Sequence, residues 1–150
     1  MSLLLDANVL IYSLNQASPH HQDSFAVLSA GVNGQLPAVL VPQVLLECYS
    51  VVTSPRRVSN PVDPIRALED LRTWREAIPV LDVRVEALEE LERLVKLHPR
   101  SGARVYDLFL VAQMRTHGVR EICTFNVDDF RLPGIRAHTP EQVLARQRAR

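Results

Sequence analysis

Several carboxylate and amide side chains of this 150-residue chain lie directly against apolar sequence, in a pattern suited to metal chemistry. Asp6 follows Leu3-Leu4-Leu5, Glu47 follows Val44-Leu45-Leu46, and Asp107 lies within Val105-Tyr106-Asp107-Leu108-Phe109. Asn126, Asp128 and Asp129 come just after Thr124-Phe125. A carboxylate in apolar surroundings is costly unless an opposite charge or hydrogen bonds compensate. Taken singly, each acid also suits a helix cap or an ion pair. Together they favour a divalent cation, because three or four carboxylates around one pocket resist joint ionisation unless they are neutralised. An all-oxygen donor set suits Mg²⁺ or Mn²⁺ rather than zinc. Such a centre fits phosphodiester hydrolysis: the metal lowers the pKa of bound water, orients it for attack and stabilises charge on the leaving oxygen.

The elements that must position these groups follow from the apolar pattern. The apolar run at residues 3–5 predicts a buried strand, and further short strands are predicted at 38–41, 80–83 and 121–124, with a fifth at 134–137. Helices are predicted from Val9 to Leu14 and from His20 to Val32, the second capped by Ser18 with Pro19 at its first position and ended by Gly31 and Gly34. Pro42 opens a helix that carries Glu47 and stops at Ser54-Pro55. Further helices span Pro64 to Ala77 and Val85 to Leu97, and one from near Ala103 carries Asp107. Thr139-Pro140-Glu141-Gln142 reads as a capping box opening the last helix. Strands alternating with helices predict a three-layer α/β/α sandwich around a mainly parallel sheet of four to five strands, as a single domain over 1–150. Ligands bind beyond the carboxyl ends of the strands in such sheets, where Asp6 and the residues after Thr124 fall.

Composition narrows the setting. The formal net charge of +0 gives the molecule no overall attraction for nucleic acid, so any basic patch must be local. Of 17 basic residues only Lys96 is lysine, which leaves such patches to arginine. Arg56, Arg57, Arg100 and Arg104 lie in or beside two loops, the latter pair close before Asp107, and suit phosphate as well as solvent. His20, His21 and His98 lack metal-ligand spacing, and Trp74 lies on an apolar helix stripe, where packing is its simplest use. Glu86, Glu89, Glu90 and Glu92 read as a solvated helix face, and Arg146, Arg148 and Arg150 as a frayed end. Cys48 and Cys123 are too few for a disulfide framework, no stretch spans a membrane, and no signal peptide is expected. The expected setting is the cytoplasm.

The segments LLLDANVLIY, PQVLLECYSVV, RVYDLFLVAQM and TFNVDDF together resemble a PIN domain over nearly the whole chain. The short length and the stretch PQVLLECYSVVTSPRRVSNP are similar to bacterial VapC-like ribonuclease toxins of type II toxin–antitoxin pairs. The resemblance implies Mg²⁺-dependent cleavage of RNA, inhibition by a cognate antitoxin, and a homodimer. It implies Asp6, Glu47 and Asp107 as the recurring acids, with Asp6 and Asp107 foremost as metal ligands. Asn126 stands where many members carry aspartate and Asp129 where others carry an acid before phenylalanine. A neutral Asn126 leaves a second metal open, with Asp128 or Asp129 able to compensate. Asn8 and Thr124 resemble positions that hold the first acid and its turn by hydrogen bonds.

Two other enzyme classes fit less well. A haloacid-dehalogenase-type phosphatase needs a second aspartate two residues after the first, where this chain has Asn8, and only Lys96 could serve as its lysine. A receiver domain fails on the same lysine. The non-enzymatic alternative is a catalytically weak PIN-like scaffold that binds RNA or protein, prompted by Asn126.

Overall fold

Three consecutive leucines leave no polar face for solvent, and β1 (Leu3–Leu5) accordingly lies in the middle of the sheet with all three side chains buried. The computed structural model describes every residue from Met1 to Arg150. β1 pairs in parallel with β2 (Ala38–Val39) on one side and β3 (Glu121–Cys123) on the other; Leu4 stands opposite Val39 and Ile122. β4 (Arg136–His138) joins the outer edge of β3, giving an all-parallel sheet of order β2-β1-β3-β4.

Parallel neighbours require long crossovers, and helices supply them. α1 (Ala7–Ser13) and α2 (His21–Val32) connect β1 to β2. α3 (Pro42–Val52), α4 (Pro64–Ala77), α5 (Glu86–Leu97) and α6 (Val105–Thr116) connect β2 to β3, and α7 (Pro140–Arg148) follows β4. The two crossovers run in opposite directions along the sheet, so right-handed connections send their helices to opposite faces. α1 packs on α2, and α2 on α7; α5 packs on α6. The result is the expected three-layer α/β/α arrangement, threaded by one cluster of 33 buried apolar residues. Both cysteines are free and buried within it, and Trp74 packs there from α4.

Several expectations need correction. Residues 80–83 form no strand: Leu40 donates to the Pro79 carbonyl at 2.9 Å and Leu81 donates back to Leu40 at 2.8 Å, giving one bridge between Leu40 and Val80. Pro79 has no N–H to extend the ladder, and Asp82 to Val85 are exposed. The sheet therefore has four strands. Ser18 does not cap α2, whose N-cap position is His20; the Ser18 hydroxyl instead accepts from the His20 N–H at 3.1 Å within a turn. Gly31 lies inside α2 rather than ending it. A Cβ there would stand 2.9 Å from that of Ala38, so glycine permits the helix to sit on β2. Gly34, at φ +72°, follows the helix in the left-handed conformation that ends it. The capping box of α7 is present on both sides, Thr139 receiving from the Gln142 N–H and Gln142 from that of Thr139.

The basic tail is also tied down more than its composition suggests. Arg146 donates through two nitrogens to Glu121, at 3.1 and 3.2 Å, instead of fraying in solvent. Glu121 is 5% exposed and also faces Arg136 and His138. Burial raises its pKa, but the Arg146 hydrogen bonds and the surrounding positive charge outweigh that and hold the carboxyl below its ordinary range. On α5, Glu90 is not simply solvated: it bridges Arg93 and Arg115.

Candidate active site

The sheet order creates a crevice before any side chain is considered. The chain runs from β1 outward to β2 and then crosses back past β1 to β3, and an open parallel sheet splits at its carboxyl edge where the direction of its connections reverses. Asp6 is the first residue beyond β1 and Thr124 the first beyond β3. The Asp6 N–H donates to the Cys123 carbonyl at 3.0 Å, and the extended Asp6 backbone then caps α1. One carboxylate oxygen, Oδ1, accepts from the Ala7 N–H at 2.7 Å. The other, Oδ2, accepts from the Thr124 hydroxyl at 2.7 Å.

Thr124 is fully buried and its oxygen is used to capacity. It donates to Asp6 and accepts from the Asn126 N–H at 3.0 Å and from Asn8 Nδ2 at 3.3 Å. Asn8 Oδ1 accepts in turn from the Phe125 N–H at 3.3 Å. Asn8 and Thr124 thus pin the carboxyl ends of β1 and β3 together and fix the direction of the Asp6 carboxylate.

Glu47 lies in the second turn of α3 and Asp107 in the first turn of α6. A chain of amides spaces the two helices. Gln43 Nε2 donates to Glu47 Oε1 at 2.9 Å and to the Tyr106 carbonyl at 3.0 Å, while Gln43 Oε1 accepts from Gln113 Nε2 at 2.8 Å. Because Glu47 can only accept when ionised, it sets the direction of every bond in that chain. Gln113 is 1% exposed, and its Oε1 has no partner.

Asp6, Glu47, Asp107 and Asn126 line one open cavity of about 730 Å³, with Asn8, Gln43 and Arg57 also on its wall. None of the three acids forms an ion pair. Burial pushes the Asp6 carboxyl up to about 6; the hydrogen bonds from Thr124 and Ala7 oppose this, and the charges of Glu47 and Asp107 add to it. Asp107 is raised as well, first by burial and then by Asp129 and Glu47, with Arg100 and Arg104 pulling the other way.

This donor set fits a hard divalent cation. It is all oxygen, carries mutually repelling charge, and has a buried carboxylate without a cationic partner. No three acidic, histidine or cysteine side chains converge on one point. Mg²⁺ does not require that, since it commonly keeps several waters and takes one or two carboxylates.

The remaining sequence-selected groups divide. Asp129 lies outside the cavity wall, near enough to act on Asp107. Asp128 is turned to solvent and paired with Arg131 at 2.9 Å. Of the loop arginines, Arg57 reaches the cavity wall and Arg100 and Arg104 lie beside Asp107. His20, His21 and His98 are absent from the wall. Gln43 and Gln113 escaped the sequence reading. The available signal was their position among apolar residues, in Val41-Pro42-Gln43-Val44 and Val111-Ala112-Gln113-Met114.

Comparison with known proteins agrees with this geometry. The PIN domain family matches residues 3–134. Ribonuclease VapC24 of Mycobacterium tuberculosis is 29% identical over 136 residues, covering 85% of this chain and 88% of its own. Ribonuclease VapC48 of the same organism is 30% identical over 143 residues, covering 93% and 98%. Among solved structures, a chain of a toxin-antitoxin complex from Klebsiella pneumoniae superposes with a TM-score of 0.62 at 18% identity, over 92% of this chain and 97% of that one. Acids at the carboxyl ends of a parallel sheet, the family match and the near-full-length relatives agree: this chain belongs to the PIN domain family, in its VapC group.

Proposed function

We propose that this protein is a Mg²⁺-dependent endoribonuclease, with Mn²⁺ as a possible substitute, acting in the cytoplasm as the toxin of a toxin–antitoxin pair. The observation that carries the reading is the shared cavity: Asp6, Glu47 and Asp107 face one space with no basic side chain paired to any of them. The ribonuclease names of the two full-length relatives support the substrate.

Asp6 and Asp107 would hold the cation, with Glu47 beside them. Bound there, it supplies an acidified water and charge stabilisation at the phosphate. Thr124 and Ala7 hold Asp6 in one rotamer, so its geometry is set before RNA arrives. Gln43 occupies Oε1 of Glu47 and leaves Oε2 available to accept a proton from attacking water. Asn126 offers an amide on the cavity wall, Asp129 adds negative charge behind Asp107, and Arg57 is placed to meet a phosphate.

The test is cleavage of structured RNAs by the purified protein with Mg²⁺ or Mn²⁺, beside Asp6→Asn and Asp107→Asn variants. Cleavage lost in both variants is the expected result. Equal absence of cleavage in wild type and variants, across substrates and metals, would overturn the reading and favour the scaffold suggested by the neutral Asn126.

Two protein partners belong to the proposal. An apolar groove lined by Pro42, Leu45, Leu46, Leu68, Leu71 and Val80 shares Pro42 and Leu46 with the acidic cavity. A bound antitoxin segment lying there could reach the acids. Val85 and Leu88, 78% and 59% exposed at the start of α5, suit contact with a second copy in a homodimer. Co-expression with the product of an adjacent gene, followed by pull-down and light scattering, tests both. Recovery of this chain alone as a monomer, with no growth defect on solo expression, contradicts them.

A further inference from the structure

Next to the acidic cavity lies a second hollow of about 340 Å³ between α1, the end of α3 and the loop after it. Ile11 lines both spaces, so the two adjoin across its side chain. The floor of the hollow is apolar, formed by Ile11, Leu14, Val52, Val58 and Val62. Its rim carries Asn15, Gln16, Ser59 and Asn60 and no charged side chain.

The rim chemistry is specific. Asn15 spends its Oδ1 on the Ala17 N–H at 3.2 Å, which leaves its Nδ2 free to donate. Gln16, Ser59 and Asn60 are exposed, and none of their side chains bonds elsewhere in the chain. Paired amide donors and acceptors around an apolar slot match the edge and the face of a nucleobase. A charged metabolite or a phosphate would find no counter-charge there. The same loop that supplies Ser59 and Asn60 also supplies Arg57 to the acidic cavity, so a phosphate contact and an amide rim are separated by only a few residues of backbone.

We propose that this hollow is a nucleobase-recognition subsite that receives an unpaired base of RNA whose backbone crosses the neighbouring acidic cavity, with Gln16 and Asn60 as the specificity-determining residues. The inference rests on the ribonuclease reading for its ligand class. It does not depend on catalysis, because base discrimination is also a property of binding.

The experiment therefore measures binding in an Asp6→Asn background, using single-stranded RNA hexamers that differ at one base. Cleavage by the otherwise unchanged chain is mapped separately on a randomised RNA. The expected result is a preference of about five-fold or more for one base at one position, lost in Gln16→Ala/Asn60→Ala, with melting temperature unchanged because both side chains are exposed. A photoreactive base at that position should crosslink to residues 11–17 or 52–62. No base preference in the Asp6→Asn protein, a preference unaltered by the double variant, or a uniform loss of affinity for all hexamers would overturn the subsite. Absence of cleavage together with intact, Gln16- and Asn60-dependent base discrimination would overturn the nuclease reading and leave the subsite standing.

Discussion

The Thr124 hydroxyl donates to Oδ2 of Asp6 at 2.7 Å across 118 residues of sequence, in a position with no access to water for the threonine. Replacing that hydroxyl by a methyl group leaves a buried acceptor unpaired and removes the bond that most lowers the Asp6 pKa. Thr124→Val should cost roughly 1–3 kcal/mol of stability. It should also lower Mg²⁺ affinity or cleavage by about 10–100-fold. Thr124→Ser, which keeps the oxygen, should recover most of both. Chemical denaturation and metal titration distinguish the variants.

The amide chain from Gln113 through Gln43 to Glu47 predicts a separation of stability from activity. Gln113 already buries an unpartnered Oε1, so Gln113→Leu removes an unsatisfied acceptor along with a donor. Its stability should change by less than about 1.5 kcal/mol. Gln43 then loses its anchor and Glu47 its fixed rotamer, and kcat should fall with KM little changed, by about ten-fold. A fall in melting temperature that accounts for the whole loss of activity would contradict this.

The pH dependence of stability follows from Asp6. Its carboxyl titrates near 6 in the fold against an unperturbed 3.8, so the folded protein binds the extra proton between those values. Without a divalent cation, stability should be greatest below about pH 4 as far as this group is concerned. It should decline as pH rises through about 6, by about 3 kcal/mol in total. Asp6→Asn should flatten that decline. Mg²⁺, proposed above to bind the ionised form, should stabilise the wild type most above pH 6. Melting curves from pH 4.5 to 8, with and without Mg²⁺, check the sign.

Glu121 predicts the opposite slope at the other end of the strands. Its carboxyl is held below the ordinary range, so the stabilisation is present above the unfolded value and disappears as pH falls through the folded one. Arg146→Ala should destabilise by roughly 1–3 kcal/mol at neutral pH, since it removes two charge-assisted bonds from a buried acid. Cleavage per folded molecule should be unaffected, which denaturation and activity measured side by side would establish.

Legibility in the sequence followed the kind of interaction. β1 could be read because an unbroken apolar run has few alternatives, and Asp6 because an acid terminating such a run needs compensation. Residues 80–83 misled because their apolar content matches a strand, whereas Pro79 and a single bridge decide the outcome. Gly31 looked like a helix stop because a 2.9 Å approach to Ala38 exists only in three dimensions. Gln43 and Gln113 carry no charge, and their pairing across 70 residues leaves no local trace. The fourth acidic contribution separates only in the folded chain, which turns Asp128 toward Arg131 and leaves Asp129 to act on Asp107 through space.

The joining of β1 to β3 also bears on how the chain is made. Asp6 leaves the ribosome 118 positions before Thr124, the residue that orients it. Throughout that interval the nascent chain carries Asp6 without the strand that aligns it, because β1 has only β2 as a neighbour until Cys123 emerges. A chain of this design has no fixed Asp6 carboxylate until β3 has been made, and any product truncated before β3 lacks the Thr124 bond that orients it.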